Sequence, residues 1–246
     1  MLHDKDAAAR SAFPVTRWTL LSRLKGPPSE EAAQAMEDIC AAYWYPLYVF
    51  ARRFGLDDPD AKDAVQDVFA HLIRGNGLAQ ADAERGRLRN FLLTALKNQI
   101  SMTKEKQKAV KRGGNVVISS LDLTDAEGRY LQEPMAPDAS PERIFERKWA
   151  MELLRAARNE LEASYTSTGQ QPLYQHLSPA LDEGERWSGS KEAAVDLGMN
   201  EPAVRTALHR LRVRYRETLL RHVRATVERD EDVKAEAAYL MQLFAE

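Results

Sequence analysis

The stretch PAVRTALHRLRVRYRETLL, from Pro202 to Leu220, carries an apolar pattern that fits an α-helix and no other regular structure. Its apolar residues recur every three or four positions, which is the period of a helix with about 3.6 residues per turn. They are Val204, Leu208, Leu211, Tyr215 and Leu219. Arginines occupy much of the remaining surface, so the pattern predicts a helix with an apolar back and a cationic front.

The same helical period recurs along most of the chain, whereas strand signals are weak. Thr16 is a suitable N-cap for a first helix, and a second helix is predicted from Glu30 to Phe54. Asp58-Pro59 and Ser140-Pro141 are typical of helix starts, and a further helix is predicted from Leu88 to about Lys108. β-branched residues run together only in NVVISSLDL. We therefore expect an all-α protein.

The chain is expected to form two helical domains joined by a long linker. The first domain is predicted over residues 12–112 and the second over residues 140–227. The linker, residues 113–139, contains glycine and proline and has little helical period. The acidic tail, residues 228–246, contains a small amphipathic helix. We expect this helix to pack on the second domain; shielding of that domain's arginines is the alternative.

The sequence SKEAAVDLGMNEPAVRTALHRL, residues 190–211, predicts a helix-turn-helix. Gly198 permits the left-handed backbone conformation of the turn, and Asn200 can cap the second helix. In such motifs the second helix enters the DNA major groove with its N-terminal end first. The residues expected to reach base edges are Arg205, Thr206, His209 and Arg210, and those expected to hold phosphates are Arg212, Arg214 and Arg216.

A polar stripe lies opposite the apolar one on the helix predicted from Leu88. Amides and hydroxyls begin this stripe and lysines end it, which suits a nucleic-acid strand better than a protein partner. A solvated helix face is the alternative. The stripe comprises Asn90, Thr94, Lys97, Ser101, Lys104 and Lys108, with Asn98 at its edge.

Three aspartates share one side of the helix that begins at Asp58: Asp60, Asp63 and Asp67. Like charges at this spacing repel each other by about 0.2–0.5 kcal/mol per pair. Asp60 and Asp63 are partly favoured by the helix N-terminus, but Asp67 is not. A basic protein partner would account for all three carboxylates, whereas DNA would be repelled by them.

Composition limits the remaining classes of function. No apolar run reaches the roughly 18–20 residues that span a bilayer, and the N-terminal MLHDKDAAAR lacks the apolar core of a signal peptide. The single cysteine, Cys40, cannot form an internal disulfide, so we expect a cytoplasmic protein with a buried thiol. We find no phosphate-binding glycine loop, metal-spaced Cys/His cluster or nucleophile motif, and we expect no enzyme activity, cofactor or metal.

Several segments resemble those of a known protein family. DAKDAVQDVFAHLIR, residues 60–74, resembles region 2 of sigma factors of the sigma-70 family. LGMNEPAVRTALHRLRVRYRETL, residues 197–219, resembles region 4 of the extracytoplasmic-function class. GRLRNFLLTALKN, KRGG and SPERIFERKWAMELL resemble a long-linker subgroup of these factors. The resemblance extends over most of the chain in the family's order of region 2, linker and region 4.

This resemblance implies a sigma factor that binds core RNA polymerase and directs sequence-specific promoter recognition and transcription initiation. It implies a monomer whose linker threads toward the polymerase active-site channel, and it admits an anti-sigma factor as a further partner. The implied polymerase contacts are Asp60, Asp63, Gln66, Asp67 and Phe69. The −10 element would be melted and held between Gly77 and Lys108, by the polar stripe and by Asn98. The −35 element would be read by Arg205, Thr206, His209 and Arg210.

The alternative hypothesis is a stand-alone helix-turn-helix transcriptional regulator. Such a protein would account for the arginines from Arg205 to Arg216. It would leave the acidic helix and the long linker without a purpose. It would also be expected to bind a palindrome as a dimer, whereas a sigma factor reads two unlike elements as a monomer.

Overall fold

A computed structural model of the protein describes residues 29–74, 87–107, 126–133, 139–227 and 229–245. The regular elements in these ranges are all helical, which confirms the all-α prediction. The helices are α1 (Glu30–Arg53), α2 (Asp58–Arg74), α3 (Leu88–Gln107), α4 (Ala126–Gln132), α5 (Pro141–Ser167), α6 (Gln171–Leu177), α7 (Ala180–Glu183), α8 (Ser190–Asp196), α9 (Glu201–Arg224) and α10 (Val233–Ala245).

Several predicted features lie outside the described residues. They include the helix capped by Thr16, the β-branched run Asn115–Leu123, and Lys108.

The described chain divides into two compact units. The first unit comprises residues 29–153 and 223–245, and the second unit comprises residues 154–222. The division therefore falls inside α5 and near the end of α9, whereas the sequence placed domain boundaries at residues 140 and 227. The described part of the predicted linker belongs to the first unit.

Helix α1 is buried on all sides along much of its length. Every residue from Ala42 to Phe50 is buried, which is the pattern of a helix at the centre of a core. The apolar stripes of α2 and α3 and the start of α5 lie around it. Their residues Phe69, Leu92 and Trp149 are fully buried. Burying a side chain of this size contributes about 1.5–3 kcal/mol, so this packing is the main source of stability for the first unit.

The thiol of Cys40 is part of the same core. Burial, with a smaller contribution from the Glu37 carboxylate, raises the pKa of Cys40 to about 12. The thiol is therefore protonated and unreactive at neutral pH, which confirms the expected structural role.

The start of α2 follows its sequence signals. Asp57 precedes the helix, and its Oδ1 accepts a hydrogen bond from the Asp60 backbone N–H at 2.9 Å. This bond satisfies one of the free donors at the helix N-terminus. Asp58 Oδ2 lies 2.9 Å from Lys62 Nζ one turn later. The observed start at Asp58 confirms the predicted one.

Helix α4 lies within the predicted linker, residues 113–139, where the sequence has little helical period. At its N-terminal end, Glu127 accepts a hydrogen bond from the Tyr48 hydroxyl at 2.5 Å and pairs with Arg52. Beyond its C-terminal end, Glu133 accepts a hydrogen bond from the Tyr45 hydroxyl at 3.0 Å. Helices of seven residues are unstable alone. Local periodicity does not reveal α4, because this helix depends on partners about 80 residues earlier in the chain.

The tail prediction was correct for the helix and wrong for its packing. Helix α10 belongs to the first unit, not to the second unit that contains α8 and most of α9. Its Leu240 and Leu243 are buried. Its Glu236 is fully buried and pairs with Arg89 on α3. The amphipathic pattern predicted an apolar face but could not specify which surface would cover it.

The second unit packs α6, α7, α8 and α9 against the C-terminal part of α5. Its core contains Leu161 and Tyr165 of α5 and Tyr174 and Leu177 of α6. From the predicted apolar stripe of α9 it contains Val204, Leu208 and Leu211, with Tyr215 packed against them. Between α8 and α9, Gly198 has φ of 61°. Asn200 Oδ1 then accepts a hydrogen bond from the Ala203 N–H at 2.8 Å. Both turn residues thus have the conformations that the sequence predicted.

Replacing Glu127 by glutamine is expected to expose α4 to solvent without unfolding the rest of the first unit. The change removes the charge that pairs with Arg52, and hydrogen bonds to charged groups are worth about 1.5–3 kcal/mol. Hydrogen–deuterium exchange of residues 126–133 should therefore accelerate about tenfold or more. Replacing the exposed Gln132 by alanine is the control and should change exchange little. Equal protection in both variants would show that Glu127 does not hold α4.

Candidate functional surfaces

The three predicted aspartates of α2 form an exposed acidic surface, defined here as Asp60, Asp63 and Asp67. Asp67 Oδ2 accepts a hydrogen bond from Gln99 Nε2 of α3 at 2.7 Å. Gln66 lies beside them and is partly exposed. The acidic surface is therefore presented by a helix whose opposite side is anchored in the core.

The carboxylates of the acidic surface repel one another. Burial raises the pKa of Asp63, and the charges of Asp67 and Asp60 raise it further. An arrangement that disfavours its own charged form is a cost to folding, and such costs recur at binding and catalytic sites. The acidic surface is therefore a candidate binding site.

Phe69 is a correction to the predicted set of polymerase contacts. Its side chain has no exposed surface and lies in the core of the first unit. The apolar stripe of α2 requires an inward residue at this position, so Phe69 supports the acidic surface by packing and is not part of it.

The predicted polar stripe of α3 is exposed at four positions, which we call the α3 polar surface: Asn90, Thr94, Asn98 and Ser101. The Thr94 hydroxyl donates to the Asn90 carbonyl at 2.8 Å, and the Ser101 hydroxyl donates to the Lys97 carbonyl at 2.9 Å. These bonds within the helix leave the hydroxyl oxygens able to accept from a ligand, while the amides can both donate and accept.

Of the three lysines in the stripe, the structure describes the side chain of Lys97 alone. Lys97 Nζ lies 2.7 Å from Glu142 Oε1 of α5 and 5.6 Å from the centroid of the Phe50 ring, and the Lys97 side chain remains partly exposed. Lys104 lies within α3, but its side chain is outside the described part of the structure. The stripe that sequence spacing placed on one face is thus mainly uncharged where the structure describes it.

A cleft of about 340 Å³ opens between α2 and α3. Thr94 and Asn98 of the α3 polar surface line it, together with His71 on the opposite helix. Its remaining walls are largely apolar and include Phe91 and Met102. Sequence analysis did not single out His71, Phe91 or Met102 as functional. A cleft forms where two helices pack together, and the periodicity of a single helix does not show which of its residues will line that cleft.

The second unit presents the basic surface of α9, defined as Arg205, His209, Arg210, Arg212 and Arg216. All five side chains are exposed. Arg205 Nη2 lies 2.6 Å from Glu201 Oε1 one turn earlier, and Arg212 donates a hydrogen bond to the Gly184 carbonyl at 2.8 Å. These two arginines are therefore held in defined positions, as a preorganised contact requires.

Two further residues of α9 were predicted to touch DNA. The exposed Thr206 donates its hydroxyl proton to the Pro202 carbonyl at 3.0 Å, which leaves its oxygen free to accept. Arg214 instead packs within its own unit, with its guanidinium 5.4 Å from the centroid of the Tyr165 ring. It remains exposed, so a phosphate contact at Arg214 stays a prediction.

Other classes of site receive no support from the described residues. Within these ranges, no group of three or more His, Cys, Asp or Glu side chains could hold a metal ion. None of the helices that the structure describes is long and apolar enough to cross a membrane.

The described residues thus form an α-helical protein with separate acidic, polar and basic surfaces. A comparison with protein-family models identifies one part of the chain more narrowly. Residues 40–110 match the model for sigma-70 region 2, and this segment includes α2, α3 and both of their candidate surfaces. The match covers less than a third of the 246 residues. It supports a sigma factor of the sigma-70 family, with a role in RNA polymerase binding and promoter melting. Neither the curated proteins nor the solved structures contain a match.

Replacing Asp63 by asparagine is expected to raise the free energy of unfolding at neutral pH by about 0.3 kcal/mol, because it removes repulsion from Asp67 one turn away. The folded pKa of Asp63 is raised, so the cost of its charge is present at neutral pH. This cost disappears as the pH falls through that pKa. Urea unfolding of both proteins should therefore show a difference at neutral pH that shrinks at acid pH.

The same substitution at Asp58 is the matched control on the same helix. Its carboxylate pairs with Lys62 and accepts a hydrogen bond from the Tyr48 hydroxyl at 2.7 Å, so Asp58→Asn should lower stability. If Asp63→Asn destabilises the protein as Asp58→Asn does, the acidic surface is held by structural contacts and its proposed electrostatic cost is absent.

Proposed function

We propose that this protein is a sigma factor of the extracytoplasmic-function type, with the long linker of its subgroup. It binds core RNA polymerase as a monomer in the cytoplasm and directs promoter recognition and transcription initiation, with no catalytic activity of its own. The single observation that carries the proposal is the region 2 match over residues 40–110, which contains the acidic surface and the α3 polar surface. An anti-sigma factor is a further proposed partner.

The acidic surface is proposed to bind the polymerase. Asp60, Asp63 and Asp67 are exposed on one side of α2, and Gln66 lies beside them. A basic protein surface would relieve the repulsion between the carboxylates and would be attracted over several ångströms before contact. DNA phosphates would add to the repulsion. The sign of the charge therefore favours a protein partner at this surface.

The α3 polar surface and the adjoining cleft are proposed to hold the −10 element after melting. Unstacked bases bind to proteins by stacking on aromatic side chains and by hydrogen bonds along their exposed edges. The cleft offers the Phe91 ring together with the Thr94 hydroxyl and the Asn98 amide. The exposed Asn90 and Ser101 extend the surface along α3, and the lysines from Lys104 onward are proposed to contact phosphates.

The second unit is proposed to read the −35 element through α8 and α9 as a helix-turn-helix. Arg205, Thr206, His209 and Arg210 are exposed on the N-terminal half of α9, the end that enters the major groove in this motif. Arginine can bind guanine through two hydrogen bonds, and the arginines further along the helix are proposed to hold phosphates. The phosphate contacts of these later arginines would set the register of the helix on the duplex.

A stand-alone helix-turn-helix regulator is the second candidate. The basic surface of α9 is equally compatible with it. It gives no role to the acidic surface of α2, although that surface carries a cost in electrostatic repulsion. It also leaves the sigma-70 region 2 match at residues 40–110 unexplained.

The double variant Asp63→Lys/Asp67→Lys is expected to weaken binding to purified core RNA polymerase by about a hundredfold, because like charges at an interface cost several kcal/mol. Fluorescence anisotropy of the labelled full-length protein titrated with core polymerase measures the Kd. Glu162→Lys/Glu192→Lys is the control, since it makes the same change in net charge at exposed positions of the second unit. Unchanged polymerase binding by the first variant would show that the polymerase does not bind at the acidic surface. A folded wild-type protein that does not bind polymerase would favour the stand-alone regulator.

Arg210→Ala is expected to lower holoenzyme affinity for a −35 element by about tenfold to a hundredfold, the loss of one bidentate base contact. Binding to core polymerase should stay within twofold. Gel-shift titrations with a promoter selected by the wild-type holoenzyme from random duplex DNA measure the effect. Arg155→Ala, at an exposed arginine of α5 in the same unit, should leave both affinities unchanged. Equal losses in the two variants would show that the arginines contribute only nonspecific charge.

A further inference from the structure

The C-terminal helix α10 makes its most buried polar contact with the beginning of α3. The Glu236 carboxylate has no exposed surface. Its Oε1 accepts a hydrogen bond from Arg89, and its Oε2 lies 2.6 Å from Arg87 Nη2. Neither the acidic surface nor the basic surface of α9 requires these contacts. The sigma-70 region 2 match ends at residue 110 and does not extend to α10.

Arg89 is enclosed on several sides. Its side chain is 2% exposed, and its guanidinium carbon lies 4.5 Å from the centroid of the Trp149 ring and 5.4 Å from that of Tyr239. The Tyr239 hydroxyl in turn donates a hydrogen bond to Glu146, whose Oε1 lies 3.9 Å from Arg89 Nε. A buried cation is stable only beside a buried anion with good geometry. Glu236 supplies the nearer anion, and it does so from the far end of the chain.

Arg87 connects this buried pair to the helix that follows. Its backbone carbonyl accepts hydrogen bonds from the Asn90 N–H at 2.9 Å and the Phe91 N–H at 3.2 Å. These are the first bonds of α3, so the position of Arg87 sets the position of the helix start. Asn90 begins the α3 polar surface, and Phe91 lines the cleft beside it. A contact that holds the Arg87 side chain therefore helps to position both Asn90 and Phe91.

We propose that Glu236 is a positioning residue for promoter opening. By holding Arg87 and Arg89, it fixes the first turn of α3 and with it the Asn90 amide and the Phe91 ring that receive the unpaired −10 strand. Helix α10 thus contributes to promoter opening by the first unit. This inference rests on the proposed function, because it assigns the α3 polar surface to the −10 strand.

The free full-length protein gives the first test, which does not depend on polymerase. Glu236→Gln keeps the shape of the side chain and removes its charge. Hydrogen–deuterium exchange at the amides of Asn90 and Phe91 is expected to accelerate at least fivefold. Glu231→Gln is the matched control in the same C-terminal segment, where the exposed carboxylate pairs with exposed Arg229. Unchanged exchange at the start of α3 in Glu236→Gln would overturn the positioning role, whatever the protein binds.

The holoenzyme gives the second test. Its probe is fork-junction DNA that carries an unpaired −10 strand, derived from a promoter selected with the wild-type holoenzyme. Glu236→Gln should weaken binding to this DNA at least fivefold, while the Kd for core polymerase stays within twofold. Parallel losses in both affinities would show a general structural defect and overturn the proposal. If the wild-type protein does not bind polymerase at all, the proposed function fails, and the exchange experiment still decides whether Glu236 positions α3.

A double-mutant cycle separates positioning from an independent effect. Asn90→Ala should weaken binding to the fork-junction DNA in the wild-type background. It should weaken binding less when Glu236→Gln is already present, because Asn90 is then no longer held in place. Additive losses would contradict the proposal. If Glu236→Gln does not fold, Arg87→Gln removes only the partly exposed partner of Glu236, and the same acceleration of exchange at Asn90 and Phe91 is expected. Unchanged exchange there would overturn the proposal.

Discussion

The buried pair between Arg89 and Glu236 is the interaction on which the organisation of this chain depends. The two residues lie 147 positions apart, and neither retains appreciable contact with solvent. A charge in such a place destabilises the fold unless its partner is present, since its hydration is lost and only the opposite charge replaces it. Helix α3 and helix α10 must therefore be together in the native first unit. As a result, the second unit, residues 154–222, is an insertion between two parts of the first.

Each candidate surface is the outward face of a helix whose inward face is fixed by the core. Residues Val65, Phe69 and Leu92 are buried, and this burial determines which side chains of α2 and α3 point outward. The electrostatics of the surfaces differ in sign and in cost. Arg205 and Arg212 contact nearby oxygen atoms, whereas burial and then the charges of Asp67 and Asp60 raise the pKa of Asp63.

Sequence periodicity predicted most helices and the exposed character of their candidate residues, because both follow from a period of 3.6 and from local signals at helix ends. Asp58 begins α2, and Gly198 and Asn200 form the turn before α9, as expected. The same reasoning did not reveal α4, the packing of α10 or the ion pair of Lys97. In each case a charged side chain found a partner on another helix: Glu127 with Arg52, Glu236 with Arg89, and Lys97 with Glu142. The sequence marks these side chains as charged but contains no local sign of which opposite charge each one meets.

The sequence by itself determined that this protein is helical, where its main helices begin, and which faces of α2, α3 and α9 are acidic, polar or basic. These properties are local, since they depend on residues within one or two turns of each other. Only the tertiary structure decided that α4 and α10 join the first unit and that Thr94 and Asn98 share a cleft with His71. Those properties depend on burial and on ion pairs between distant segments. Their energies arise only when the core removes water from both partners.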